Sequence, residues 1–125
     1  MSTLDKIIHR LGTFKLLALA AAGVAMHTGA LAADVVASDA AYAKAQPILQ
    51  THCLSCHSSK PAWPGYRVAP AGVLLETPEQ LRQFAPRVLA LVTNGAMPVN
   101  NLSHMSDTER AELTAIIRDA GLQER

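Results

Sequence analysis

Cys53-Leu54-Ser55-Cys56-His57 is the stretch on which the fold turns, and both cysteines of the chain lie within it. Two sulfurs three residues apart fall on one side of a helical turn. His57 follows at once, bringing an imidazole beside them. Four chemistries use such a pattern. A dithiol redox site shares the Cys-x-x-Cys element but normally belongs to a fold with strands. A structural disulfide between cysteines this close closes only a tiny loop and stabilises little. Tetrahedral zinc needs four ligands, and the remaining histidines show no metal-site spacing. The complete Cys-x-x-Cys-His form is that of a c-type haem attachment site.

On that reading Cys53 and Cys56 each form a thioether to one haem c group, and His57 is the proximal iron ligand. The expectation is one covalently bound haem per chain. Met97, in Asn94-Gly95-Ala96-Met97-Pro98, is the expected distal ligand. It sits in a turn after a helix, with enough chain between it and His57 to pass round a haem edge, and Pro98 stiffens the approach. A neutral, soft thioether favours ferrous iron and raises the reduction potential. Met105 and His104 are its rivals. Met105 immediately precedes a helix cap and can pack on the following turn, while His104 reads as a surface loop residue. His52 is too near His57 to reach the opposite face and reads as an exposed or hydrogen-bonding histidine. The second ring nitrogen of His57 needs a partner, for which a carbonyl in Val68-Ala69-Pro70 is the candidate. Arg67, Tyr66 and Trp63 are candidates to meet the haem propionates.

Working outward, Ala40 to His52 favours a helix, with Tyr42, Ala45, Ile48, Leu49 and His52 near helical spacing. Pro47 either kinks it or starts its last segment, and Ala33 to Asp39 reads as a short polar and small-residue lead. Ser58 to Gly72 is rich in proline and glycine, hence an ordered loop, and Trp63 and Tyr66 are suited to lie along a macrocycle or to cover a small core. Thr77-Pro78-Glu79-Gln80 starts a second helix. Its apolar face is Leu81, Phe84, Ala85, Val88, Leu89 and Val92; Pro86 should bend it, and Asn94-Gly95 should end it. Ser106-Asp107-Thr108-Glu109 starts a third, with Leu113, Ile116, Ile117 and Ala120 apolar and Gly121 as the stop. No segment alternates like a strand, so the fold class is all-α.

The N-terminus reads as an export signal. Lys6, Arg10 and Lys15 precede an uncharged run from Leu16 to Met26 and a small-residue site at Ala30-Leu31-Ala32. Cleavage is expected after Ala32, leaving residues 33–125 as the working domain in the periplasm; a retained segment would anchor the domain with the same outward face. Of the 11 basic and 10 acidic residues in the chain, three bases and one acid lie in residues 1–32, so the remainder carries a net charge of −1. That balance provides no basic face for nucleic acid. A domain of fewer than about 100 residues with few aromatic side chains has little apolar surface to bury and usually depends on a staple or a cofactor.

The helix, the Cys-x-x-Cys-His motif, the proline-rich loop, the Met-Pro turn and the final helix together resemble the class I (mono-haem) cytochrome c family over residues 40 to 121. The resemblance implies a small cytochrome c-like helical fold wrapped around one hexacoordinate haem, serving as an electron carrier and not as an enzyme. Its partners would be redox proteins: a dehydrogenase or oxidase on one side and a terminal acceptor on the other, with loose membrane association through such a partner. Narrower features look like the cytochrome c domain fused to bacterial membrane-bound urate oxidases. These are Cys56-His57-Ser58, Lys60-Pro61, Pro64-Gly65, Gly72-Val73, Thr77-Pro78-Glu79-Gln80, Ala96-Met97-Pro98, Asn101-Leu102 and Met105. The sequence departs from them in its own export segment, in the lack of a membrane catalytic domain and in Pro86. That likeness implies a dedicated haem subunit accepting electrons from a membrane oxidase. A haem enzyme or gas sensor with a labile sixth ligand is the remaining alternative.

Overall fold

Residues 32–122 are described by the computed structural model; the expected export signal, residues 1–32, lies outside the described residues except for its last residue, Ala32. The chain divides into two units after Asp34, and the second, from Val35 onward, contains the core. Among the described residues there are helices and turns and no strand, as an all-α fold requires. No helix among them is long and apolar enough to cross a membrane.

The first helix, α1, covers 32–52. It takes in the stretch expected to be a lead, which holds no Gly or Pro to stop a helix; within it the Ser38 hydroxyl turns back to donate to Val35 O at 2.8 Å. Helix continues across Pro47, so proline does not start a new segment there. The Pro47 carbonyl accepts from Thr51 Oγ1 at 2.9 Å.

The second helix, α2, is Pro78–Thr93. Thr77 caps it, its side chain accepting from Gln80 N while the Gln80 side chain accepts from the cap backbone. It runs through Pro86, and Asn94 and Gly95 end it, Gly95 taking the positive φ of 78° that glycine tolerates best. The third, α3, is Asp107–Asp119, begun by the reciprocal Ser106 and Glu109 bonds. Two short turns of 3-10 helix, Pro70–Gly72 and Val99–Asn101, punctuate the connections.

These faces meet in one core. Ala41, Ala45, Ile48 and Leu49 come from α1, Leu81, Ala85, Val88 and Val92 from α2, and Leu113 and Ile117 from α3. Val73, Leu75 and Met105 join from the connections, and Phe84 and Leu89 pack half-buried against the cluster. The two long connections, 53–77 and 94–106, thus contribute to the same core as the helices. Functional residues therefore reside on irregular backbone fastened to a helical base.

Candidate functional site

The motif continues directly from α1. Cys53 N and Leu54 N both donate to Leu49 O at 2.9 Å, Cys56 N donates to Cys53 O at 3.1 Å, and His57 N to Cys53 O at 2.8 Å. His57 is then tied to the far end of the proline-rich loop: Leu75 N donates to its carbonyl at 3.0 Å. Next to Leu75, the Glu76 carboxylate accepts from Ser59 N at 2.8 Å and Ser59 Oγ at 3.1 Å, while the Tyr42 hydroxyl donates to the Glu76 carbonyl at 2.5 Å. The segment bearing both sulfurs and the imidazole is thus braced against α1 and against residues 73–76.

Within this brace His57 Nδ1 lies 3.0 Å from Val73 O. The partner is Val73, not a carbonyl of residues 68–70. Ala71 takes φ 53° and Gly72 φ 68°, and this left-handed pair redirects the chain so that the carbonyl reaching the ring lies three residues later than Pro70. A carbonyl accepts only, so the hydrogen sits on Nδ1 and Nε2 presents its lone pair, the state of a metal-binding imidazole.

Two open clefts share the walls His52, His57, Pro70, Met97 and Pro98. Cys53 lines the first, whose other walls are mostly aliphatic, among them Val88, Leu91, Val92 and Met105. Cys56 lines the second with Trp63, Tyr66, Val99 and Leu102. The structure thus places Cys53, Cys56, His57 and Met97 on the walls of these two adjoining clefts, together the crevice of the site, with His57 and Met97 lining both. Trp63 and Tyr66 belong to its rim at 37% and 42% exposure, so they cover the crevice and not the core. Arg67 lines neither cleft; the arginine that does is Arg87, on the first. Its signal was its register, one turn before Leu91 on the helix that ends at the Met97 turn.

Met97 is held by its backbone. Its N–H donates to Leu91 O at 2.9 Å, and its carbonyl accepts from Arg110 Nη1 at 2.7 Å. Of its rivals, His104 is exposed with φ 55°. Met105 is buried in the core and reaches the wall of the first cleft, with its backbone bonded to the Asn101 side chain through both N–H and carbonyl. His52 is buried, not exposed, and both its nitrogens are engaged: Nδ1 with Ser103 Oγ at 2.9 Å and Nε2 with Glu109 Oε1 at 3.1 Å.

The electrostatics speak against thiol–disulfide exchange. Burial first, and neighbouring Cys56 second, push the Cys53 thiol up to about 12, whereas an exchange catalyst depends on a readily ionised cysteine. Nor do three His, Cys, Asp or Glu side chains gather to hold a bare metal ion among the described residues. The donor set instead fits an apolar group carrying its own metal: two thiols that could anchor it, one imidazole nitrogen and one thioether that could meet the metal, and aliphatic walls to enclose the rest. The chain matches no protein-family model, no curated protein and no solved structure.

Proposed function

We propose that this chain is an exported mono-haem c-type cytochrome that passes single electrons between redox proteins in the periplasm. One observation carries the reading. The imidazole of the Cys-x-x-Cys-His motif is fixed by Val73 O with its other nitrogen available, and it shares the walls of one crevice with Met97 and with both cysteines.

Bound there, haem iron supplies reversible one-electron chemistry. The chain's own residues do the rest. Cys53 and Cys56 hold the group covalently, which suits a domain too small to enclose it by packing alone. His57 would be the proximal ligand, its ring oriented by the bond to Val73 O. Met97 is the distal ligand. If His57 and Met97 both held the iron, the protein would leave no open site on it for small molecules, which would favour a carrier over an enzyme. Val73, Leu75, Val88, Leu91 and Val92 keep water from one side of the crevice, and a low-dielectric wall raises the cost of a net positive charge. Trp63 and Tyr66 at the rim leave part of the group near the surface, where a dehydrogenase, an oxidase or a terminal acceptor can approach.

The test is expression with the haem-attachment machinery, followed by intact mass and absorption spectra of the wild type and of Met97→Ala. The expected mass gain is one haem that survives denaturation, with low-spin spectra in both oxidation states and a reversible one-electron wave. Met97→Ala should show a high-spin fraction and rapid carbon monoxide binding. A colourless mature protein with both thiols still reactive would falsify the haem assignment, and unchanged spectra in the variant would refute Met97 as the ligand.

A further inference from the structure

We infer that Arg110 is the positioning residue for the distal ligand, an assignment that rests on the haem reading of the crevice. Its Nη1 donates to two carbonyls at once, Val92 O and Met97 O, each at 2.7 Å. One belongs to the last turn of α2 and the other to the loop that follows. A single nitrogen therefore fixes the distance between the helix end and residue 97.

Two features of the sequence give this contact a purpose. The last turn of α2 contains no basic residue, so its own sequence puts no charge against the negative end of its dipole or against its open carbonyls. Arg110 brings a cation there from another helix. In its own helix the same cation is badly placed, just after the first turn of α3, where the dipole favours the acids Asp107 and Glu109. Local helix energetics do not account for an arginine at this position. The carbonyls it reaches do.

The stem of the arginine is also fixed. Arg110 N donates to Ser106 O at 3.0 Å within the capping turn, so the guanidinium reaches out from a set origin. Met97 is thereby pinned on both sides of its Cα, with N–H on Leu91 of α2 and carbonyl on Arg110 of α3. Only the flexible thioether chain then remains to be ordered. Arg110 lines neither cleft, so its action on the iron is through Met97. A thioether is a weak ligand, and how well it resists a competitor depends on how firmly its backbone is held.

Imidazole titration of the ferric haem-loaded protein, read by absorption, tests this in the wild type, Arg110→Gln, Arg110→Lys, Met97→Ala and Ile117→Val. Arg110→Gln is expected to lower the half-saturating imidazole concentration roughly tenfold, the equivalent of one charge-assisted hydrogen bond, and to weaken the sulfur-to-iron charge-transfer band. Arg110→Lys keeps the charge without the planar fork and should shift the same way by less; it carries the test if Arg110→Gln does not fold. Ile117→Val loosens the same helix in its core and should lower the melting temperature with wild-type imidazole affinity. If both Arg110 variants melt earlier yet bind imidazole as the wild type does, while Met97→Ala binds it far more tightly, Arg110 is only a staple and the inference is overturned. If Met97→Ala itself titrates like the wild type, the ligand assignment and this inference fall together.

Discussion

His57 and Met97 reach the same crevice from segments held in different ways. The His57 segment runs on from α1 through consecutive backbone bonds to Leu49 and Cys53, and its side chain is oriented by a backbone carbonyl. The Met97 loop has backbone bonds of its own, Met97 N to Leu91 O among them, but relies in addition on single side chains: Arg110 on Met97 O and His52 on Ser103 from outside the loop, and Asn101 within it on both sides of Met105. Among the described residues, three of the four non-glycine residues with positive φ, namely Asn100, Asn101 and His104, lie in this second segment. Local backbone order is hard to undo without unfolding the helix beneath it. An arrangement built from single side chains can be released one contact at a time. The proximal side should therefore act as a fixed anchor and the distal side as the adjustable one.

The largest effect comes from attacking the anchor outright. Cys53→Ala with Cys56→Ala should abolish covalent attachment entirely, read as a mass without haem and as loss of haem on a denaturing gel. Haem retained on that gel would mean that the attachment lies elsewhere and that the contrast between the two sides is wrong.

A smaller change tests the brace without touching a ligand. Glu76→Ala removes both bonds to Ser59, which are exposed, and should cost no more than about 1 kcal/mol in denaturant unfolding. Because the His57 ring is oriented by Val73 and not by Glu76, the proposed ligation predicts an imidazole affinity at the wild-type value. A protein that loses stability and also binds imidazole more tightly would show that the anchor is less independent of its brace than the local bonds imply.

The same contrast explains what was legible in the sequence. Both capping boxes, Thr77 with Gln80 and Ser106 with Glu109, are complete within four residues, so the starts of α2 and α3 could be read directly. The Cys-x-x-Cys-His segment is equally local, and the fold gathers its residues with Met97 around one crevice. The early start of α1 was obscured because small residues suit a lead as well as a helix. Val73 escaped because its approach to His57 depends on Ala71 adopting φ 53°, a conformation that an alanine gives no reason to expect. Arg110 escaped for a different reason: its two carbonyls lie 18 and 13 residues away, and no pattern along the chain connects them. For His52 the sequence admits either exposure or hydrogen bonding, and its burial decides for the second.

His52 is also where the two sides meet. It directly precedes Cys53, and its ring joins Ser103 of the distal loop to Glu109 of α3. Hydrogen bonds from the Ser106 hydroxyl and backbone, then from His52, hold the Glu109 carboxyl down from 4.5 to about 2. A carboxylate with a depressed folded value contributes stability above its unfolded value and loses it as the pH falls through the folded one. Glu109→Gln preserves a capping side chain but carries no charge. The wild type should therefore melt at a higher temperature than Glu109→Gln at about pH 5, and the gap should close between 4.5 and about 2. Over the same range the sulfur-to-iron band of the wild type should fade while haem stays covalently attached, since acid releases the distal side through Glu109 and leaves the thioethers intact. A gap that persists unchanged at about pH 2 would remove Glu109 from this role and leave the distal loop held by Arg110 and Asn101.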